Sequence, residues 1–154
     1  MRIVIILLVF LSCYSQQEDL PQINVGKMYD YQFDHSELKL TSFDGIIRWV
    51  YLNIAYKTEK NDYWKLPEET FNDKSGDCED ITLLIMYLLE NLLQIDTKLT
   101  LIITPGANHT IFFTDNYYSF TGEVYTGFQT VWECTYQEAI WMTYYYHDSV
   151  GKYY

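Results

Sequence analysis

The polar stretch Gly76-Asp77-Cys78-Glu79-Asp80 runs directly into Ile81, Leu83, Leu84, Ile85, Met86, Leu88 and Leu89, and this junction constrains the fold more than any other part of the chain. Apolar residues of that density after a polar turn are read as a helix from Cys78 to about Leu93. A cysteine in the first turn of such a helix sits near unpaired backbone N–H groups and the positive end of the helix dipole, both of which favour thiolate over thiol. Glu79 and Asp80 suit the dipole at the same position, yet their charge opposes ionisation of the thiol. Distances decide that balance, and a sequence holds none.

A second polar group lies downstream. Asn108-His109-Thr110 follows Pro105-Gly106 and opens the apolar run Ile111-Phe112-Phe113, which is read as a strand entering the core. A histidine at the start of such a strand can be held beside a cysteine and act as its base. Cys78 followed by His109 is therefore the candidate nucleophile and base. His35 and His147 are expected to be exposed and inert.

The remaining elements follow from caps and periodicity. Ser42 is a candidate N-cap for a helix to about Tyr56, with Ile46, Ile47, Trp49, Val50 and Ile54 at helical spacing. Residues 57–77 read as a loop, in which Trp64 either caps the core or walls a cleft next to Cys78 and Asp77. Strands are expected at residues 98–104, 109–114 and 117–121, with the Asp115-Asn116 turn making the last two antiparallel neighbours. A further strand at residues 129–133 precedes Thr135-Tyr136-Gln137-Glu138, a capping-box pattern that starts a last helix through about Tyr145. Helix, loop, helix and then strands is an α+β order.

Composition bears on location and partners. Ile3 to Leu11 form an unbroken apolar run after Arg2, too short to span a bilayer and suited to the core of a signal peptide. Ser12-Cys13 at its end resembles a bacterial lipobox, which implies a lipid anchor on Cys13; ordinary signal-peptide cleavage is the alternative. The expected organisation is a signal segment at 1–12, a polar tether at 13–37 and a folded domain at 38–154, on a protein exported to the cell envelope. The net charge of −11, with no basic run, argues against nucleic acid as a partner. Of the remaining cysteines, Cys134 is expected to pack as a small buried group, with a Cys78–Cys134 disulfide as the alternative in an exported chain. No cofactor fingerprint is present.

Taken together, Trp64-x-x-Pro67-x-Glu69-Thr70, then Gly76-Asp77-Cys78-Glu79-Asp80 leading into a leucine-rich helix, then Asn108-His109 at a strand start, resemble the bacterial branch of the transglutaminase-like superfamily. The resemblance spans roughly residues 38–125. It implies a papain-like core, in which a cysteine at a helix N-terminus packs on a small antiparallel sheet. It also implies Cys78 as nucleophile, His109 as general base, and a third polar residue that orients the imidazole. Thr121 falls where the family has an aspartate, and a hydroxyl cannot stabilise an imidazolium by charge. Asp115 and Glu123 are the nearby carboxylates. The expected activity is a cysteine peptidase or amidase, or an acyltransferase, acting on a peptide or protein; the alternative is a module of the same fold that has lost turnover and binds or scaffolds in the envelope.

Overall fold

The computed structural model describes residues 31–58, 63–105 and 107–150. The expected signal segment, Cys13 and most of the expected tether lie outside these residues, as does the side chain of His147. In chain order the elements are α1 (Phe43–Asn53), β1 (Ala55–Tyr56), α2 (Pro67–Asp73), β2 (Ser75–Gly76), α3 (Cys78–Leu93), β3 (Lys98–Thr104), β4 (Ala107–Phe113), β5 (Tyr117–Tyr118), β6 (Gln129–Thr135) and α4 (Tyr136–Val150). The α+β expectation therefore holds, with four helices among the described residues and a four-stranded antiparallel sheet in the order β5-β4-β3-β6.

Helix α3 is the centre of the domain. Every side chain from Glu79 to Leu89 is buried, and α1, α2, α4 and β4 all pack against it. A helix enclosed on all sides needs no polar face, which is why Leu83, Leu84, Met86 and Leu88 occupy successive faces without alternation. Its C-terminus ends on Gln94 in the left-handed region, whose backbone N–H returns to the Leu89 carbonyl. Glu90 then ties three elements together: it accepts from the Thr97 N–H at 3.0 Å and hydroxyl at 2.8 Å, and from Gln137 of α4 at 3.0 Å.

Capping chemistry sets the other helix ends. The Ser42 hydroxyl accepts the Gly45 N–H at 3.1 Å at the start of α1. Thr135 and Glu138 bond reciprocally ahead of α4, the hydroxyl taking the Glu138 N–H at 3.2 Å and the carboxylate taking the Thr135 N–H at 2.8 Å. The sheet is registered by Leu99↔Phe112 and Leu101↔Thr110 between β3 and β4, and by Leu99↔Cys134 between β3 and β6. Cys134 is buried and, like Cys78, carries a free thiol, so the alternative disulfide does not form.

The segment expected to be a loop differs from that expectation. Residues 57–77 contain α2 and β2, and β2 pairs in parallel with β1 through Ala55↔Ser75 and Tyr56↔Gly76. Pro67 at the first helical position, with Glu68 and Glu69 in the first turn, favours a helix there, and Glu69 closes it by accepting the Leu66 N–H at 2.7 Å. Trp64, just ahead of α2, is buried.

Packing begins on the N-terminal side of Leu38. Phe33 is buried and stacks on Tyr87 of α3 with ring centroids 4.5 Å apart, while Phe71 of α2 lies 5.2 Å away. His35, expected to be exposed, is instead half-buried, with Nδ1 at 3.0 Å from the Tyr87 hydroxyl and 2.8 Å from the Phe33 carbonyl. Among the described residues no helix is long and apolar enough to cross a membrane. Phe33→Ala is expected to lower the unfolding free energy by about 3 kcal/mol through the cavity left against Tyr87 and Phe71. Urea denaturation measures the loss; an unchanged midpoint would mean that Phe33 is not part of the cooperative core.

Candidate active site

The turn that presents Cys78 is built around a carboxylate with no solvent exposure. Asp80, the third residue of α3, accepts the Lys65 N–H through Oδ1 at 2.8 Å and the Asp77 N–H through Oδ2 at 3.3 Å. Asp77 is the N-cap, in extended conformation, and with Asp80 forms a capping box in which each side chain faces the other's backbone N–H. Gly76 makes room for this arrangement, because a Cβ there would lie 2.5 Å from the Asp80 Cβ and 2.9 Å from its Oδ2. Lys65, itself buried, donates its ammonium to the Ser75 carbonyl at 3.0 Å and pairs with Asp73 at 3.2 Å. The polar pattern Gly76-Asp77-Cys78-Glu79-Asp80 is thus first a helix-initiation device.

Cys78 sits in that first turn, partly buried, where the sheet edge is open. Strand β5 pairs only with Phe112 and Phe113 of β4, so the edge of β4 before Phe112 is left to other partners. Helix α3 supplies them: the Thr82 hydroxyl donates to the Thr110 carbonyl at 3.3 Å, and the Thr110 backbone lies beside the Cys78 sulfur, where its N–H favours the thiolate. The nucleophile candidate is therefore docked against β4 one residue from His109.

The electrostatics run against ionisation. The Cys78 thiol donates to Glu79 Oε2 at 3.1 Å. Burial pushes its pKa up, and the Glu79 carboxylate, both by charge and as acceptor of the S–H bond, and then the Asp77 charge push it further; only the Thr110 N–H acts the other way. Most of the groups around the sulfur therefore favour the thiol over the thiolate. Glu79 is itself 6% exposed, and burial followed by the Asp77 charge raises its pKa well above the usual carboxylate range. Tyr56, half-exposed on β1, belongs to the same neighbourhood: burial, then the charges of Cys78, Asp77 and Glu79, raise its phenol pKa.

His109 lies on β4 opposite Ile102 of β3. Strand alternation sends its ring to the face opposite the Thr110 side chain, and the ring meets Tyr125 edge-on at 6.3 Å. Among the described residues no hydrogen bond joins His109 to Cys78. Thr121 is not in a strand, since β5 ends at Tyr118. Its hydroxyl is 2.7 Å from that of Ser119, and it lines a groove of about 370 Å³ with Phe43, Ile47 and Arg48 of α1, a groove that includes neither Cys78 nor His109. Asp115 accepts from the Thr114 and Tyr118 hydroxyls at 2.8 and 3.2 Å in its exposed turn, and the Glu123 backbone N–H bonds to Ser119. Neither supplies a hydrogen bond to His109 among the described residues.

The chain matches no family model, no curated protein and no solved structure.

The site is therefore read from its own groups. It brings together Cys78, Asp77, Glu79, Asp80 and the Thr110 backbone, with Tyr56 beside them. Glu79, whose charge the sequence already set against the thiol, is joined here by Tyr56, which sequence reasoning did not bring to the site. Adjacency in sequence was the available signal for Glu79, whereas Tyr56 arrives only through the β1–β2 pairing. Among the described residues no cluster of His, Cys, Asp and Glu side chains is arranged to hold a metal ion.

Two outcomes follow from this geometry. Gly76→Ala is expected to destabilise the domain by about 1–3 kcal/mol, because the Asp80 carboxylate must shift and weaken its bonds to the Lys65 and Asp77 N–H groups; denaturant titration measures it. For Glu79, a folded pKa above the unfolded value means that the native state keeps a proton the unfolded chain has released. Its stabilising contribution is full below the ordinary glutamate range and lost as pH rises through the raised value. Urea midpoints of the wild type are expected to fall from acid toward neutral pH and beyond, and Glu79→Gln is expected to flatten that fall. Parallel slopes for the two proteins would show that Glu79 titrates normally.

Proposed function

We propose that this chain is a thiol acyl-transfer module of the transglutaminase-like kind, acting on amide carbonyls of a peptide or protein, with hydrolysis favoured over cross-linking. The observation that carries this reading is the position of Cys78 in the first turn of α3, its sulfur beside the Thr110 backbone one residue from His109. In the proposed reaction the Cys78 sulfur attacks the carbonyl carbon and the amine leaves with a proton delivered by His109. The resulting thioester is then resolved by water or by an amine. The Cys78 backbone N–H, at a helix N-terminus, is an oxyanion donor in this scheme. Trp64 and Asp77 belong to the surroundings of the nucleophile. The apolar segment from Ile3 to Leu11 and Cys13 support export to the envelope, with Cys13 as the membrane anchor or signal-peptide cleavage as the alternative.

A second reading is favoured by a specific observation. The Cys78 sulfur bonds to Glu79 at 3.1 Å in buried surroundings that raise its pKa, and no hydrogen bond joins Cys78 to His109 among the described residues, as expected of a module that binds or scaffolds with weak or no turnover.

An activated ester such as p-nitrophenyl acetate separates the two. On the first reading, the Cys78 peptide of the full chain gains one acetyl group, detected by mass spectrometry. His109→Ala should then slow acylation by about 100-fold or more, and Cys78→Ala should abolish the adduct. Absence of acylation at Cys78 in the folded protein, or acylation indifferent to His109, would overturn the catalytic pair and leave the binding module.

A further inference from the structure

Glu79 is a buried titratable side chain for which the proposed acyl transfer has no step. It follows the nucleophile in sequence, so the contact between its Oε2 and the Cys78 sulfur is made within one helical turn and needs no other element to close it. Its carboxylate is 6% exposed, which leaves the S–H group as a partner that water cannot readily replace. The other groups facing this pair come from every neighbouring element: Asp77 from the turn before α3, Asp80 from α3 itself, the Tyr56 phenol from β1 and the Thr110 N–H from β4. The buried ammonium in this region, that of Lys65, is engaged by Asp73 and the Ser75 carbonyl.

We propose that Glu79 is a positioning residue that holds Cys78 in its resting, protonated form, so that the nucleophile is released only when the contact between Oε2 and the sulfur is broken. The proposal rests on the reading of Cys78 as the nucleophile and deepens it. On release the S–H bond breaks, the proton passes to a ring nitrogen of His109 to give an imidazolium, and the electron pair stays on sulfur. The Thr110 N–H and the N-terminus of α3 then stabilise the thiolate that Glu79 had opposed. A substrate whose backbone N–H or side-chain donor takes Oε2 as its own acceptor would release the thiol on binding. Peptide and protein amides carry such donors.

The pH profile of Cys78 alkylation by iodoacetamide in the full chain tests this. Cys78 and Cys134 peptides are quantified separately, so that the buried Cys134 reports whether the fold is intact. Glu79→Gln keeps the shape and removes the ionisable partner of the S–H group; it is expected to label Cys78 at least about tenfold faster at pH values above the titration of Glu79, where the wild-type carboxylate is charged, with an apparent pKa moved down toward the ordinary thiol value. Equal or slower labelling with Cys134 still protected would overturn the proposal. Should Glu79→Gln expose Cys134, the wild-type S–H stretch, identified as the infrared band lost in Cys78→Ala, decides instead. A band shifted down, as for a thiol donating to a carboxylate, supports the proposal, and a band at the position of a free thiol overturns it. The His109→Ala profile keeps the two ideas apart. Acceleration by Glu79→Gln without any effect of His109→Ala supports the role of Glu79 while removing the Cys-His pair. The reverse pattern keeps the pair and removes Glu79.

Discussion

The Asp80 carboxylate, fully buried and bonded to the backbone N–H groups of Lys65 and Asp77, is the interaction on which the rest of the domain turns. A buried charge is tolerated only when donors surround it, and here the donors are backbone groups from two separate segments. Their convergence fixes where α3 begins and ties the chain ahead of α2 to that point. Gly76 is required because any side chain would occupy the space of Asp80. The β1–β2 pair, which ends on Gly76, is in turn positioned by the same junction. One carboxylate therefore orders a helix start, a strand pair and the cysteine between them.

That arrangement also explains why the cysteine is not activated by its helix. A helix N-terminus contributes the equivalent of a partial positive charge, whereas Glu79 and Asp77 bring carboxylates into the same low-dielectric pocket. Close, buried charge outweighs the dipole. The sulfur is left with one favourable contact to the backbone of β4 and one restraining contact to Glu79. The shift in Glu79 belongs to the same balance, since two neighbouring carboxylates in a buried site do not readily both ionise.

Much of the architecture was legible beforehand. The bounds of α3 and β3, the caps of α1 and α4 and the burial of Cys134 all follow from local rules: apolar density, Ser42 before a periodic run, the Thr135 and Glu138 reciprocity, and the small apolar character of a free cysteine. The segment between α1 and α3 was not legible as helix and strand. Helix α2 is a short element without an apolar stripe of its own, and β1 and β2 are two-residue strands held by each other rather than by propensity. His35 was misjudged for a similar reason, because its partner Tyr87 lies far along the chain. Thr121 was aligned to a strand that ends at Tyr118, and the turn closed by Ser119 takes its hydroxyl elsewhere.

By itself the sequence determined the helices and strands outside residues 55–77, and that a cysteine stands at the first turn of α3. These depend on period, cap and composition, which are properties of neighbouring residues. Only the tertiary structure decided the state of the thiol, the docking of its sulfur on Thr110, the entry of Tyr56 into the neighbourhood and the turning of Thr121 toward α1. Each of these depends on burial and on distances of a few ångströms between segments remote in sequence. Electrostatic interaction in a protein interior changes steeply with both, so residue types in order cannot supply it.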